Sequence, residues 1–169
     1  MQFRDATLKD LPIIVAIYNS TIPGRMVTAD TTPVSVTAKL PWFHEHNKQT
    51  RPLWVVENEE GKLIGWVSFQ DFYGRPAYDG TAEISIYLDE NERGKAYGEK
   101  ILAYVIEKSP ALSIHTLLGF IFAQNTSSLN LFTKLGFQEW ANLPGIAILD
   151  GKECSLKILG RKVGIEENK

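Results

Sequence analysis

Two periodicities alternate along the chain. Leu8, Leu11, Ile14, Val15 and Tyr18 recur three and four residues apart, which predicts a helix with one apolar face. Thr7-Leu8-Lys9-Asp10 reads as a capping box at its start, and Pro23-Gly24 ends it. A short strand at 2–6 precedes it, and a polar loop at 25–32 follows. A second helical region at 35–48 carries Pro41, which predicts an interruption there. Residues 53–57 and 63–72 read as a hairpin around the turn 58–62. A loop rich in Gly, Pro and aromatics at 73–80 leads to a β-branched strand at 81–88. Then come a small-residue turn, a helix at 99–108, an apolar strand at 116–123 and a helix at 125–135 stopped by Gly136. Two strands, 137–143 and 153–159, close the pattern, and a polar tail at 165–169 is expected to fray.

The order β-α-α-β-β-β-α-β-α-β-β predicts an α/β fold, a mixed sheet with helices on both faces. With 169 residues, the chain reads as one domain at 1–163 and a polar tail at 164–169. No repeat or low-complexity segment interrupts it. Net charge is −2, which argues against a dedicated nucleic-acid binder, since that class shows a basic stripe. One cysteine, Cys154, excludes an intrachain disulfide and fits a reducing compartment. The first residues do not read as a signal peptide, and no apolar run is long enough to span a membrane. The expected location is cytoplasmic.

The most informative chemistry lies between the strand at 81–88 and the helix after it. Arg93-Gly94-Lys95-Ala96-Tyr97-Gly98 places small residues where a helix begins. The first turn of a helix has unpaired N–H groups and partial positive charge, so an anion can approach closely if side chains stay out of the way. Arg93 and Lys95 add charge. The pattern points to phosphate or pyrophosphate, although its spacing is neither of the two common nucleotide fingerprints. The plainer reading is turn punctuation before a helix.

This loop resembles the R/Q-x-x-G-x-G/A loop with which GNAT-family N-acetyltransferases hold the pyrophosphate of acetyl-CoA. Residues 124–137, Q-N-T-S-S-L-N-L-F-T-K-L-G-F, resemble that family's second motif, N-x-x-S-x-x-L-x-x-x-x-G-F. Residues 82–87, A-E-I-S-I-Y, resemble the V-E-x-x-V-Y strand of the phosphinothricin acetyltransferase subgroup, and Ile17-Tyr18-Asn19 is similar to that subgroup too. The resemblance runs from about Phe3 to about Gly160. It implies the GNAT fold, with a mixed, mostly antiparallel central sheet.

The resemblance also implies roles. Ile86, Tyr87 and Leu88 would line the strand that pairs with the pantetheine arm of acetyl-CoA, as an added strand would. Arg93, Gly94, Lys95, Ala96, Tyr97, Gly98 and Glu99 would hold the pyrophosphate. Asn125 would bond the arm, with Ser128 and Lys134 on the bordering helix; capping alone also explains Asn125 and Ser128, and a solvated surface explains Lys134. Glu83 would be the general base, and the Leu88 N–H would donate to the thioester oxygen. The plainer reading of Glu83 is the solvent face of an edge strand. Tyr18, Phe72, Arg75 and Tyr78 would bind the acceptor, Arg75 by clamping its acid group; an exposed loop cation is the plainer reading of Arg75. A homodimer would bring a second copy to the same site.

Three departures from the family pattern stand out. Phe132 occupies the position where many members carry a proton-donating tyrosine. Ala96 stands where glycine is commoner, which requires a negative φ if alanine is to be unstrained. The segment Gly145-Ile146-Ala147-Ile148-Leu149-Asp150 lacks the histidine frequent in the subgroup. His44 and His46 do not share a helical face and have no acidic or cysteine cluster nearby, so no metal is expected. Cys154 has no histidine in sequence context to activate it for a covalent route. The expected function is direct acetyl transfer, in a ternary complex, from acetyl-CoA to the amine of a small amino-acid-like acceptor of the phosphinothricin or methionine sulfoximine type. The alternatives are transfer to a protein N-terminus or another amine, and a non-catalytic acyl-CoA sensor.

Overall fold

A computed structural model describes residues 1–164; the predicted frayed tail at 165–169 lies outside the described residues. The strands are β1 (Gln2–Asp5), β2 (Leu53–Glu57), β3 (Leu63–Asp71), β4 (Thr81–Leu88), β5 (Thr116–Phe122), β6 (Gln138–Leu149) and β7 (Lys152–Lys162). The helices are α1 (Leu11–Thr21), α2 (Val36–Glu45), α3 (Tyr97–Lys108) and α4 (Thr126–Lys134). The strands form one sheet in the order β1-β2-β3-β4-β5-β7-β6. Every neighbouring pair is antiparallel except β4 and β5.

Each sheet face has its own core. On one face α3 and α4 cover a cluster that includes Val67, Phe69, Ile84, Leu102 and Leu117. On the other, α1 packs Leu11, Ile14 and Ile17 over Leu53, Val55 and Trp66, whose Nε1–H donates to the Ile14 carbonyl at 3.1 Å. Each such aliphatic side chain stabilises the fold by about 1.5–3 kcal/mol when fully buried. β3 is an interior strand, third in the sheet, and is buried from Leu63 to Phe69 on both faces, so it reads as a nearly continuous apolar run.

The predicted interruption at Pro41 does not occur. α2 runs unbroken from Val36 to Glu45 with Pro41 inside it. Proline removes one backbone donor there, but Leu40, Trp42 and Phe43 pack against the α1 core and hold the turns on either side. The Ser35 hydroxyl caps the helix by accepting from the Ala38 N–H at 3.0 Å. The closing strand pair is longer than its predicted bounds. β6 and β7 turn at Asp150-Gly151 and slip register between Glu139 and Ala141 and again between Leu143 and Ala147. Those irregularities break the alternation from which the strand ends were read.

Candidate active site

β4 and β5 pair over only three residues, Thr81↔Thr116, Ala82↔Leu117 and Glu83↔Leu118. Beyond them the two strands part. β4 stays on β3 as far as Leu88, while β5 stays on β7 as far as Phe122. The gap opens into a cleft of about 940 Å³ whose walls are Glu83 to Leu88 on one side and Gly119 to Phe122 on the other. The starts of α3 and α4 close its end.

The free edge of β4 carries backbone donors into this cleft. The Asp89 N–H donates to Ile64 of β3 at 2.8 Å. N–H directions alternate along a strand, so those of Leu88 and Ile86 point away from β3, toward the gap. Phe132 stands on the opposite wall. A Cβ on Gly119 would lie 2.6 Å from its ring, so the glycine is what lets the ring lie flat on β5.

The start of α3 is open. Ala96 is its N-cap and provides no side-chain hydrogen bond, so the first-turn N–H groups have no side-chain cap among the described residues. Ala96 adopts φ +60, in the left-handed region. The negative φ expected of an alanine here is therefore overturned, and the loop carries about 1–2 kcal/mol of local strain. The neighbouring turn at Gly94, φ +75, is open: no atom lies within 4 Å of where a Cβ would stand. α3 begins at Tyr97, two residues before its predicted start, which brings Gly98 and Glu99 into its first turn.

Two lysines assigned to the cofactor face elsewhere. Lys95 bonds Glu92 at 2.9 Å and does not line the cleft, whereas Arg93 does. Lys95 first, and Lys62 with it, hold the Glu92 carboxyl below its usual range. Lys134 is exposed and bonds Glu99 at 2.7 Å. It offsets the charge of Glu99, a carboxylate that lines the cleft. Asn125 does cap α4, accepting from the Ser128 N–H at 3.2 Å, and its amide donates to the Met26 carbonyl at 3.3 Å. Both Asn125 and Ser128 line the cleft. Asn125 thus ties the loop after α1 to the start of α4.

Glu83 lies where β4 and β5 separate, half-buried, with no hydrogen-bond or ion-pair partner among the described residues. Burial pushes its carboxyl above the usual range. Strand alternation sends Glu83, Ser85 and Tyr87 to the α1/α2 face, opposite Gln70, Ser68 and Trp66 of β3. There a second, smaller chamber of about 170 Å³ opens, bounded by Tyr18, Lys39, Trp42, Ser68, Gln70 and Ser85. Tyr87 stacks on Trp66 at 4.5 Å, and burial raises its phenol. The Tyr18 hydroxyl meets Thr28 at 2.6 Å and also the Asp30 carboxylate. Burial, then Asp30, pushes the Tyr18 phenol up to about 12. Both phenols therefore stay neutral and able to donate at working pH.

The acceptor residues expected on the β3–β4 loop are not brought into either cavity. Phe72, Tyr73 and Tyr78 pack on one another, with Phe72 and Tyr78 centred 5.5 Å apart, and Arg75 is exposed beside them. They form a rim at the Glu83 end of β4. Sequence reasoning missed Ser85, Lys39, Trp42 and Thr28. Ser85 was readable from its spacing with Glu83. The others reach the site only through the packing of α2 and of the loop after α1.

Among the described residues no group of three or more His, Cys, Asp or Glu gathers as a metal site, and no helix is long and apolar enough to cross a membrane. Residues 14–137 match the model of the acetyltransferase (GNAT) family. The chain is 52% identical over 163 residues to a Bacillus subtilis protein named "Putative phosphinothricin acetyltransferase YwnH", covering 96% of this chain and 99% of that one. It is 30% identical to the L-methionine sulfoximine/L-methionine sulfone acetyltransferase of Pseudomonas aeruginosa, over 92% of this chain and 91% of that one. Its fold superimposes with a TM-score of 0.90 on a phosphinothricin acetyltransferase from Sinorhizobium meliloti solved with acetyl-CoA, at 27% identity, covering 99% and 91% of the two chains.

Proposed function

The chain belongs to the GNAT acetyltransferase family, and from that premise we propose that it moves an acetyl group from acetyl-CoA to the amine of a small amino-acid-like acceptor, of the phosphinothricin or methionine sulfoximine type. The observation that carries this reading is the parting of β4 and β5 with Glu83 at the fork. It puts a half-buried carboxylate, a row of free N–H groups and an uncapped helix start around one cleft.

The residues present fit acetyl-CoA. The uncapped first turn of α3, with Gly94, Ala96, Tyr97, Gly98 and Arg93, would hold its pyrophosphate. The free edge of Ile86 to Leu88 would pair with its amide-bearing arm, with Asn125 and Ser128 opposite. Bound there, acetyl-CoA supplies an acetyl group activated as a thioester. The Leu88 N–H donates to the thioester oxygen, a contribution of about 2.7–4 kcal/mol in comparable sites. Glu83 takes the proton that the amine must lose to attack. Phe132 cannot protonate the departing thiolate, which leaves unassisted or takes its proton from water. Phe72, Arg75 and Tyr78 form the rim over which an acidic acceptor enters, and Tyr18 walls the chamber behind it.

The proposal includes a homodimer. β6 is an edge strand with Ile146 and Ile148 exposed on one face and Trp140 exposed further along. An uncovered apolar stripe on an edge strand favours burial against a second copy. A cytoplasmic location suits the lone, unpaired Cys154. The test is thiol release from acetyl-CoA with a panel of amines: methionine sulfone, methionine sulfoximine, phosphinothricin, simple amines and a peptide N-terminus. Turnover with the small amino acids is expected. Turnover with the peptide alone moves the enzyme to protein substrates, and tight CoA binding with no turnover makes it a sensor.

A further inference from the structure

We propose that Lys39 of α2, rather than Arg75 of the β3–β4 loop, holds the acid group of the acceptor. The inference rests on the amino-acid acceptor proposed above and names the residue that selects it. The smaller chamber lies on the same sheet face as Glu83. Its floor is a ladder of facing pairs, Trp66 with Tyr87 and Ser68 with Ser85, with Gln70 at the end; Glu83, the register partner of Gln70 on β4, lines the adjoining cleft. The ladder is apolar at the α1 end and polar at the Glu83 end. A ligand whose amine meets Glu83 therefore has hydroxyl and amide groups directly behind it.

Lys39 provides the charge. Its ammonium lies 4.8 Å from the centre of the Tyr18 ring and 5.1 Å from that of Trp42. Two ring faces hold a long side chain in one place without neutralising it. Lys39 forms no ion pair among the described residues, whereas Lys62, Lys95 and Lys134 are all paired with glutamates. It is the cation among the residues that bound this chamber. The volume, about 170 Å³, equals about five or six waters, room for the head group of an amino acid. Tyr18, whose ring supports the lysine, is itself fixed by Thr28 and Asp30 at its hydroxyl. The charge is thus placed before a ligand arrives, which lowers the ordering cost of binding. Arg75 is exposed on the rim, outside both cavities.

The test uses methionine sulfone and its decarboxylated counterpart, the matching sulfonyl amine, in the full-length enzyme. Lys39→Met keeps the stem over the rings and removes the charge. It should raise KM for methionine sulfone tenfold or more, while KM for the decarboxylated amine and for acetyl-CoA changes less than about twofold. Lys39→Arg should recover part of the loss. Equal loss for both acceptors, or no loss, overturns the proposal, as does an acid-selective loss in Arg75→Ala larger than that in Lys39→Met. Calorimetry with the same two ligands reads the contact without turnover. Wild-type binding of methionine sulfone that fails in a folded Lys39→Met protein supports Lys39 even if no acetyl transfer occurs, in which case only the proposed function falls. No binding of methionine sulfone to the wild type overturns the assignment.

Discussion

Glu83→Gln separates the base from every other part of the site. Glutamine keeps the shape of the side chain and removes its basicity. Among the described residues Glu83 has no partner to hold its charge, and burial raises its carboxyl above the usual range, the direction that favours a base. An amine at pH 7 is mostly ammonium, since its pKa lies about one to three units higher. General-base help is worth about 10²–10⁴ in rate, so kcat near pH 7 should fall at least about 100-fold, or about 2.7 kcal/mol of barrier. The loss should shrink at high pH, where the free amine needs no base. KM for acetyl-CoA should hold, because the pyrophosphate and arm contacts lie elsewhere. The same variant has a stability signature. A carboxyl whose folded pKa is raised contributes stability that is fully present below its unfolded pKa, about 4.3, and lost as pH rises through the folded value. Glu83→Gln should therefore melt with the wild type near pH 4 and above it at pH 7. The assays are thiol release across pH and melting across the same range. A wild-type pH–rate profile in the variant would falsify the assignment of the base. A variant that melts lower than wild type at pH 7 would show that the carboxylate is held charged, against the burial argument.

Three further substitutions test the frame around it. Gly98→Asp puts a carboxylate in the first turn of α3, and its Cβ meets only the flexible end of Leu131 at 3.2 Å; acetyl-CoA affinity should fall more than tenfold, or about 1.4 kcal/mol, in a folded protein, and unchanged calorimetry removes the loop from the site. Ala96→Gly relieves a left-handed alanine, so denaturant melts should show a gain of up to about 1 kcal/mol after the greater unfolded-state freedom of glycine is subtracted, with acetyl transfer retained; a loss would mean that the alanine is unstrained. Asp10 accepts from Arg4 at 2.8 and 3.0 Å and from the Thr7 N–H at 2.7 Å, and the Arg4 guanidinium holds its carboxyl below the usual range. Its contribution is present above the unfolded pKa of about 3.9 and is lost as pH falls from there through the folded value, so acid melts of Asp10→Asn should be flatter than wild type below pH 4.

The elements that are legible in the sequence are those whose periodicity is set by one neighbouring layer. Thr81–Leu88 reads to its ends because its alternation faces a core on one side and a half-open chamber on the other. The hairpin of β2 and β3 reads equally well, since Asn58 to Lys62 carry turn residues between two apolar runs. What fails does so where tertiary contact outweighs local chemistry. Pro41 sits in an unbroken helix because Leu40, Trp42 and Phe43, partly buried, pack against the α1 core on either side of it. Ala96 accepts a left-handed turn because the strand before it and the helix after it fix its place. Lys95 and Lys134 are adjacent to the cleft in sequence and turned toward glutamates in space, which no spacing reveals. Lys39 belongs to a helix with no chemical motif and reaches the chamber through the packing of α2 on α1. The motifs mark residues that line the larger cleft. The acceptor side is assembled from ordinary-looking positions.

That division follows from the pleat of β4. Ala82 and Ile84 enter the α3/α4 core, and Glu83 and Ser85 point to the other face. The backbone edge between those faces is what the parting from β5 exposes. One strand therefore supplies three things in three directions: core packing on one face, the proposed base and acceptor contacts on the other, and N–H donors along the edge. The arrangement depends on register. A slip of one residue would bury Glu83 among the apolar residues under α3 and bring Ile84 to the amine, so the same apolar side chains that stabilise the sheet also aim the base. It also explains how acceptor preference could change without loss of acetyl-CoA binding. Tyr18, Lys39 and Trp42 bound the chamber from helices that make no contribution to the pyrophosphate loop, so substitutions there can alter which amine is taken while the donor edge of Ile86 to Leu88 stays as it is.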